Sequence, residues 1–429
     1  MYSSNFIKKP INLSLVPGFN ELVNQTNNNE SNILKLNKIE CLSSNNQKYK
    51  VIRYDKNLLN VDLINSYGLC RSVIINSSNN VVCYSPPKSI PYSLFISKYP
   101  NKTDSIIAQE FIEGTMINVF WDPNISLSGS WEISTRNTVG AESSFYKKYP
   151  NQTFRSMFLE AAQYNNLDLN KLNKNYCYSF VLQHPNNRIV VPFEYPILYL
   201  VAVYSISIDN TDKNIMVYSH HIDKAKNDFK NDFDSGFYWN KSSIKFPQTF
   251  EWNNYQDLIN KYASMNTSYN VLGVVIHNLE TGERTKIRNP VYEQIRQLKG
   301  NQPKLQYQYL SLRNEGKVSE YLKYFPESKN EFSNFRQQIH LFTTTLYNNY
   351  ISCYIKKERP LMEFSEQYRT HMYNLHQLYL NELRDKKYHV SNTEVIKYVN
   401  NLHPSLLMYC LNYNMRKRNI DFIKADNEV

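Results

Sequence analysis

Glu110-Phe111-Ile112-Glu113-Gly114-Thr115-Met116-Ile117-Asn118 decides how the rest of the chain is read. An acid and a glycine stand directly before a run of β-branched and apolar residues that continues to Trp121. That pattern predicts a turn entering a strand, with Gly114 allowing close backbone approach. Six further segments are ordered around it. Upstream lie Cys70-Arg71-Ser72-Val73-Ile74 and the basic-aromatic stretch from Pro87-Lys88 to Leu94-Phe95. Downstream come Trp131-Glu132-Ile133-Ser134-Thr135-Arg136-Asn137-Thr138, then Tyr178 to Val191, which contains Pro185-Asn186-Asn187-Arg188-Ile189-Val190. Leu272-Gly273-Val274-Val275-Ile276 and Thr285-Lys286-Ile287-Arg288-Asn289-Pro290-Val291-Tyr292 complete the set. Lys286 and Arg288 alternate, so a strand there points both to one face and Ile287 to the other. Alone, that pair marks a solvated edge as readily as a ligand-facing one.

In this order the segments resemble the signature motifs of ATP-dependent RNA ligases of the phage tRNA-repair type. The first quoted stretch is similar to their lysine-x-acid-glycine motif, whose lysine attacks the α-phosphate of ATP; here that position is Phe111. Arg136 stands for the lysine of a serine-lysine-glycine-serine motif. The stretch ending in Asn187-Arg188-Ile189-Val190 resembles a Glu-x-x-x-Pro-x-Asn-Arg-Ile-Val strand, with Val181 in place of the carboxylate. Leu272 replaces the acid of Glu-Gly-x-Val, and Arg288 the second lysine of a closing Lys-x-Lys-x-x-x-Tyr motif. The surroundings of Phe111 and Trp131 also look like uncharacterised proteins of large DNA viruses. The resemblance implies an α+β fold. It has an antiparallel-sheet nucleotidyltransferase domain around a nucleotide cleft, followed by an all-α C-terminal domain.

The departures concern chemistry. A phenyl ring has no lone pair with which to attack phosphorus, so no catalytic residue is expected at Phe111. Magnesium takes hard oxygen ligands, which Val181 and Leu272 do not supply, so no metal site is expected. The resemblance leaves a binding set: Arg71, Glu113, Gly114, Arg136, Lys286 and Arg288. Glu113 stands where an acid contacts the ribose, and the cations suit phosphate, the arginines as bidentate forks. The expected function is therefore a pseudoenzyme that binds nucleic acid or nucleotide, with RNA or DNA as partner. Two alternatives stay open. One is an active nucleotidyltransferase with a displaced lysine, which would need ATP and Mg; Lys88, Lys98 and Lys102 are the nearest upstream. The other is a structural viral protein with a vestigial cleft whose helical C-terminal domain binds protein partners. Arg188 is read as structural, pairing a carboxylate such as Glu194, and His184 as a turn residue.

Composition supports a globular chain: 429 residues, 41% hydrophobic and 20% charged. Lys and Arg number 49 against 38 Asp and Glu, a net charge of +11. That excess suits an anionic partner, with plain solubility as the competing account. Only 10 glycines accompany 35 tyrosines, the bias of an A/T-rich genome, so the tyrosines are not read as base-stacking platforms. No stretch reaches the roughly 18 uncharged apolar residues of a membrane span, and Met1 to Pro10 has no signal-peptide core. Six dispersed cysteines without a Cys-x-x-Cys pair argue against zinc or a disulfide framework. A reducing cytoplasm suits them, in the host cell or in a virion if the source is viral.

Three regions are expected. Residues 1–48 form an N-terminal extension of polar loops and short elements that packs on the core. Residues 49–296 are mostly strand: Val51–Tyr54, Val81–Tyr84, Met116–Trp121, Trp131–Thr135 and Ile189–Ile206, with one helix over Ser156–Tyr164 and a polar surface excursion from Asp209 to Ser243. Residues 297–429 form the helical domain. There Phe332, Phe335, Ile339, Phe342, Leu346, Tyr350 and Cys353 recur every three or four residues, one buried helix face. A second helix covers Phe364–Leu383. A third begins at Ser391, with Glu394 at capping-box spacing, and a fourth follows Pro404.

Overall fold

A computed structural model describes residues 9–24, 35–43, 45–145, 152–209, 211–220 and 242–416. The chain divides into two compact units, Met1–Arg296 and Gln297–Val429.

The first unit is built on fourteen strands among the described residues. They are β1 (Ile11–Asn12), β2 (Leu36–Leu42), β3 (Lys48–Tyr54), β4 (Val73–Ile75), β5 (Val81–Tyr84), β6 (Ile106–Glu110), β7 (Thr115–Asp122), β8 (Ser130–Ser134), β9 (Tyr176–Gln183), β10 (Ile197–Ile208), β11 (Ile215–His220), β12 (Thr249–Phe250), β13 (Gly273–Asn278) and β14 (Arg284–Arg288). They pair antiparallel in three sheets, ordered β1-β11-β10-β9-β7-β8, β2-β3-β4-β5 and β12-β6-β13-β14. The antiparallel α+β architecture expected from the sequence is the architecture found.

Each sheet buries the apolar half of its alternation. Val51, Ile74 and Cys83 of the β2–β5 sheet pack with Phe120, Cys177 and Val217 of the six-stranded sheet. The far face of the latter buries Ile117, Phe180 and Leu198 against Met157, Phe158 and Ala161 of the helix Phe154–Tyr164. Thr153 and Ser156 cap that helix reciprocally. Ile106, Ala108, Val274 and Ile276 of the third sheet pack with Phe95 and Leu258.

Several local expectations are corrected. Part of the segment 1–48 belongs to the sheets. β2 pairs with β3 over seven residue pairs, and β1 pairs with β11. Its alternation Leu36-Asn37-Lys38-Ile39-Glu40-Cys41-Leu42 was hidden by polar flanks. Ile189–Ile206 is not one strand: it begins only at Ile197, because Pro192 and Pro196 lack the amide a ladder needs. The excursion Asp209–Ser243 contains strand β11, and its residues 210 and 221–241 lie outside the described ones, as do 25–29 of the polar run at Asn24. Phe154–Tyr164 is joined by helices Phe19–Asn24, Tyr92–Lys98 and Tyr255–Tyr262.

The second unit is helical through its described residues. Lys329–Tyr350 buries Phe332, Ile339, Phe342, Leu346 and Tyr350 of the stripe read from the sequence, while Phe335 and Cys353 are only half-buried, and runs on as a π turn over Ile351–Ile355. Glu366–Leu378 likewise ends in a π turn, Tyr379–Leu383. Ser391 accepts a hydrogen bond from the Glu394 amide and opens the helix Asn392–Asn400; Pro404 opens the last, Pro404–Leu411. Among the described residues, no helix is long and apolar enough to cross a membrane.

Candidate functional site

The third sheet has a core face and an open face. Register places Gln109 opposite Val275 and Val275 opposite Lys286; His277 lies opposite Arg284, and Gly273 opposite Arg288. The amide of Phe111 donates to the Gly273 carbonyl at 3.3 Å, extending the pattern past the end of β6. By alternation, Gln109, Phe111, Arg284, Lys286 and Arg288 share the face opposite the buried Ala108, Val274 and Ile276. Lys286 Nζ stands 4.5 Å from the Phe111 ring centroid, and the Arg288 guanidinium 5.7 Å from it.

Other segments add cations to this face. Lys286 feels Arg284, Arg71, Arg288 and Lys88; Lys88 feels Arg71, Arg136 and Arg288. Desolvation first, and then these four like charges, push the Lys286 amine down to about 6. Burial also lowers Arg71, to about 10, with Arg284 as the next cause. Desolvation lowers Lys88 as well. A cation shifts this way when it is dried and surrounded by its own sign. Among the described residues, Arg288 pairs with Glu293 at 2.6 Å, while Arg71, Lys88, Arg136, Arg284 and Lys286 make no ion pair. Arg136 instead lies over the Tyr54 ring at 5.0 Å, and Arg284 donates to the Pro87 carbonyl.

Polar atoms along the same segments are left unmatched. Ser72 Oγ, Tyr84 OH, Ser134 Oγ, Nε and Nη2 of Arg136, and Arg284 Nε are buried without a hydrogen-bond partner. Native interiors satisfy nearly all such atoms, so a local concentration marks a place where a bound group or solvent completes them. A cavity of about 340 Å³ opens beside the cluster, walled by Ile107, Gln109, Tyr204 and His277 and sharing Lys88 and Arg284 with it.

The three hydrocarbon substitutions meet at the Phe111–Gly114 turn. Val181 Cγ1 would stand 2.7 Å from a Cβ placed on Gly114. Leu272, 8% exposed, precedes the glycine whose carbonyl takes the Phe111 amide. The residues present do not fit the magnesium ion that an active ligase would use. Nearby acids are committed elsewhere: Glu110 accepts from the Gln248 amide, and Glu113 from those of Val190 and Val191. Among the described residues, no three His, Cys, Asp or Glu side chains gather to hold an ion.

Two expected site residues take other roles. Glu113 is 5% exposed, and its oxygens clasp the chain at Val190 and Val191, with Tyr292 as a further hydrogen-bond partner. This is a structural tie between segments, and burial raises the carboxyl above its ordinary range. Gly114 has φ +145°, and a Cβ there would fall 2.5 Å from the Leu182 carbonyl oxygen. The close approach it permits is therefore to strand β9. Arg188 lies near Glu113 and donates to the Val190 carbonyl. His184 accepts from the Asn186 amide, a turn role, and meets Glu160 at 3.2 Å.

Of the upstream lysines, Lys102 donates to the Trp252 carbonyl and Lys98 pairs with Glu283; Lys88 reaches the cluster. Sequence reasoning passed over Arg284, although the alternation Arg284-Thr285-Lys286-Ile287-Arg288 carries the signal one step further. It also passed over Ser72, Ser134 and Tyr84, which nothing but the fold assembles.

No family model matches the chain. Over 104 residues it is 32% identical to an RNA ligase of Rhodothermus phage RM378, a match covering 23% of this chain and 22% of that one. Over that stretch the chain resembles an RNA ligase. A viral relative is also similar: the immediate-early protein ICP-46 homolog of Invertebrate iridescent virus 6, 23% identical over 293 residues, 64% of this chain and 58% of the relative. The chain thus spans about a fifth and somewhat over half of these two relatives. Among solved structures, a mutant Naegleria gruberi RNA ligase with ATP and Mn aligns at TM-score 0.34 and 12% identity, over 49% of this chain and 57% of that one.

Proposed function

We propose that the first unit of this RNA-ligase-like chain binds the phosphates of an RNA or DNA strand in the cationic cleft, without self-adenylylation at position 111. One observation carries the reading: six basic side chains converge on a half-dry face where, among the described residues, only Arg288 has a carboxylate partner. A phosphate diester would supply the missing negative charge, and its oxygens would accept from the unmatched guanidinium atoms. Without an amine at Phe111, or carboxylates at Val181 and Leu272, the same cleft has no means of activating ATP at the position the ligases use.

The test is binding of single-stranded RNA and DNA oligonucleotides across a salt series. Each lost phosphate contact flattens the plot of log affinity against log salt by about 0.7 for single strands. Lys286→Ala with Arg288→Ala should weaken binding on the order of tenfold at moderate salt and flatten the plot by about 1 or more. An unchanged slope would place nucleic-acid binding outside this cleft.

A further inference from the structure

We infer that Cys83 and Cys177 form a redox modification site, at which a hydroperoxide converts the two thiols to a disulfide that ties the β2–β5 sheet to the six-stranded sheet. This stands apart from the phosphate-binding reading of the cleft.

Cys83 lies on β5 and Cys177 on β9, and the two side chains share one core between the sheets. Their sulfurs converge on a single residue. Cys177 Sγ donates to the Tyr84 carbonyl at 3.6 Å and accepts from the Tyr84 amide at 3.4 Å, and Cys83 Sγ stands 4.0 Å from the same carbonyl oxygen. The Cys83 thiol also donates to the Cys177 sulfur, and the Tyr204 amide on β10 is a further donor to it. Burial raises the Cys177 thiol, but these donors outweigh it and hold the group below its ordinary value. Cys70, likewise buried, is shifted by burial alone and goes up to about 12. Access is uneven too. Cys177 forms part of the wall of a cavity of about 440 Å³, with Val82, Lys174, Ser205 and Tyr218. Lys174 and Tyr218 are exposed, so the cavity meets solvent. At 3% exposure the sulfur is open to a molecule as small as hydrogen peroxide rather than to a bulky reagent, and Cys83 has no exposure at all.

Cys177 is the attacking sulfur and Cys83 the resolving one. The Cys177 sulfur attacks one peroxide oxygen; an S–O bond forms, the O–O bond breaks, and the departing hydroxide leaves as water with the thiol proton. That gives a sulfenic acid at Cys177. The Cys83 sulfur, already in contact, then attacks the Cys177 sulfur. An S–S bond forms, the S–O bond breaks, and hydroxide leaves with the Cys83 proton as a second water. The balance is two thiols plus hydrogen peroxide to one disulfide plus two waters; the sulfurs lose two electrons and the peroxide oxygens gain them. The first step favours the sulfur with more thiolate character, and the donors around Cys177 supply it. In a reducing compartment such a bond is transient, reopened by exchange with dithiols.

The experiment treats the full, folded chain with hydrogen peroxide, stops the reaction with catalase, and maps the sulfurs by peptide mass spectrometry without reduction. The expected result is a species in which the peptides of Cys83 and Cys177 are joined, formed on the order of tenfold faster than any oxidation of Cys70. Dithiothreitol should restore the starting mass. Cys83→Ala removes the resolving thiol and should leave a sulfenic acid on Cys177 that dimedone labels, while Cys177→Ala should leave Cys83 reduced. Should either variant fail to fold, the parent chain decides alone: dimedone added together with the peroxide should label Cys177 at the expense of the disulfide. Both thiols unchanged, a disulfide between another pair, label on Cys83 instead of Cys177, or oxidation of Cys70 at the same rate would each overturn the proposal.

Discussion

Gly273→Ala is expected to unfold the first unit or leave it barely folded at 25 °C. The glycine sits at φ +133°, and a Cβ there would lie 2.1 Å from the Ile287 carbonyl oxygen, 2.9 Å from Arg288 Cα and 3.1 Å from the Asn289 amide nitrogen. All three are backbone atoms of the paired strand and the residue that follows it, so no side chain can swing aside. The conformation alone costs about 1–3 kcal/mol in a residue with a Cβ. Relief of the overlap must then push β14 away from β13, breaking ladder bonds and the burial of Val274 and Ile276 beneath. The sum is on the order of 4 kcal/mol or more, a large part of the 5–15 kcal/mol that holds a typical domain together. Urea unfolding followed by circular dichroism would measure it, and a variant within about 1 kcal/mol of the parent would contradict the close pairing described here. The same displacement would carry Arg284, Lys286 and Arg288 out of register with Arg71 and Arg136.

The second large effect has the opposite sign. Lys286→Met should stabilise the ligand-free protein at neutral pH while weakening its hold on nucleic acid. The folded state depresses the amine from 10.5 to about 6, so between those values the unfolded chain binds the extra proton. Stability of the parent therefore rises with pH across this window, and the penalty of the lysine is fully present below about 6. Methionine has similar length and no charge, so it removes that penalty. The gain should be largest at pH 6, shrink steadily towards pH 10, and amount to a rise of several degrees in Tm at pH 7, since each kcal/mol moves Tm by roughly 2–4 °C in a unit of this size. Thermal melts at pH 6, 7, 8 and 9 would decide it. A loss of stability, or a gain that does not shrink with pH, would mean that the amine is solvated and charged. Such trade-offs between stability and binding are common where like charges are collected for a ligand.

The fold was legible wherever residue order and period were both informative. The change from strand alternation to three- and four-residue spacing near Val291 marks where helices take over, and the stripe from Phe332 to Tyr350, the half-buried Phe335 excepted, is buried as its spacing implies. Strands β5 and β8 were readable from short β-branched and aromatic runs. Strand β11 was not, because its partly exposed residues give no clean alternation. The helix Tyr92–Lys98 escaped notice because Pro91 makes no side-chain cap and the run is short. Within the cleft, cations spaced two apart on one strand could be read locally. The meeting of that strand with Arg71, Lys88 and Arg136 depends on three sheets folding together, which no local pattern encodes. Glu113 and Gly114 show the reverse problem: a motif can place two residues correctly in the chain, yet their side-chain environment is set by neighbours such as Val190 and Leu182 that are distant in sequence.

The sulfur atoms give the molecule a built-in gauge of its own opening. Cys70, Cys83 and Cys177 are buried in the first unit and Cys410 in the second, all as free thiols, and burial pushes Cys70 up to about 12 and Cys410 up to about 11. An alkylating reagent must reach the sulfur, and all four are buried, so it must wait until the surrounding structure comes apart. Mass-resolved alkylation at these four positions would time the two units separately in one sample, without a dye, a tag or an added tryptophan.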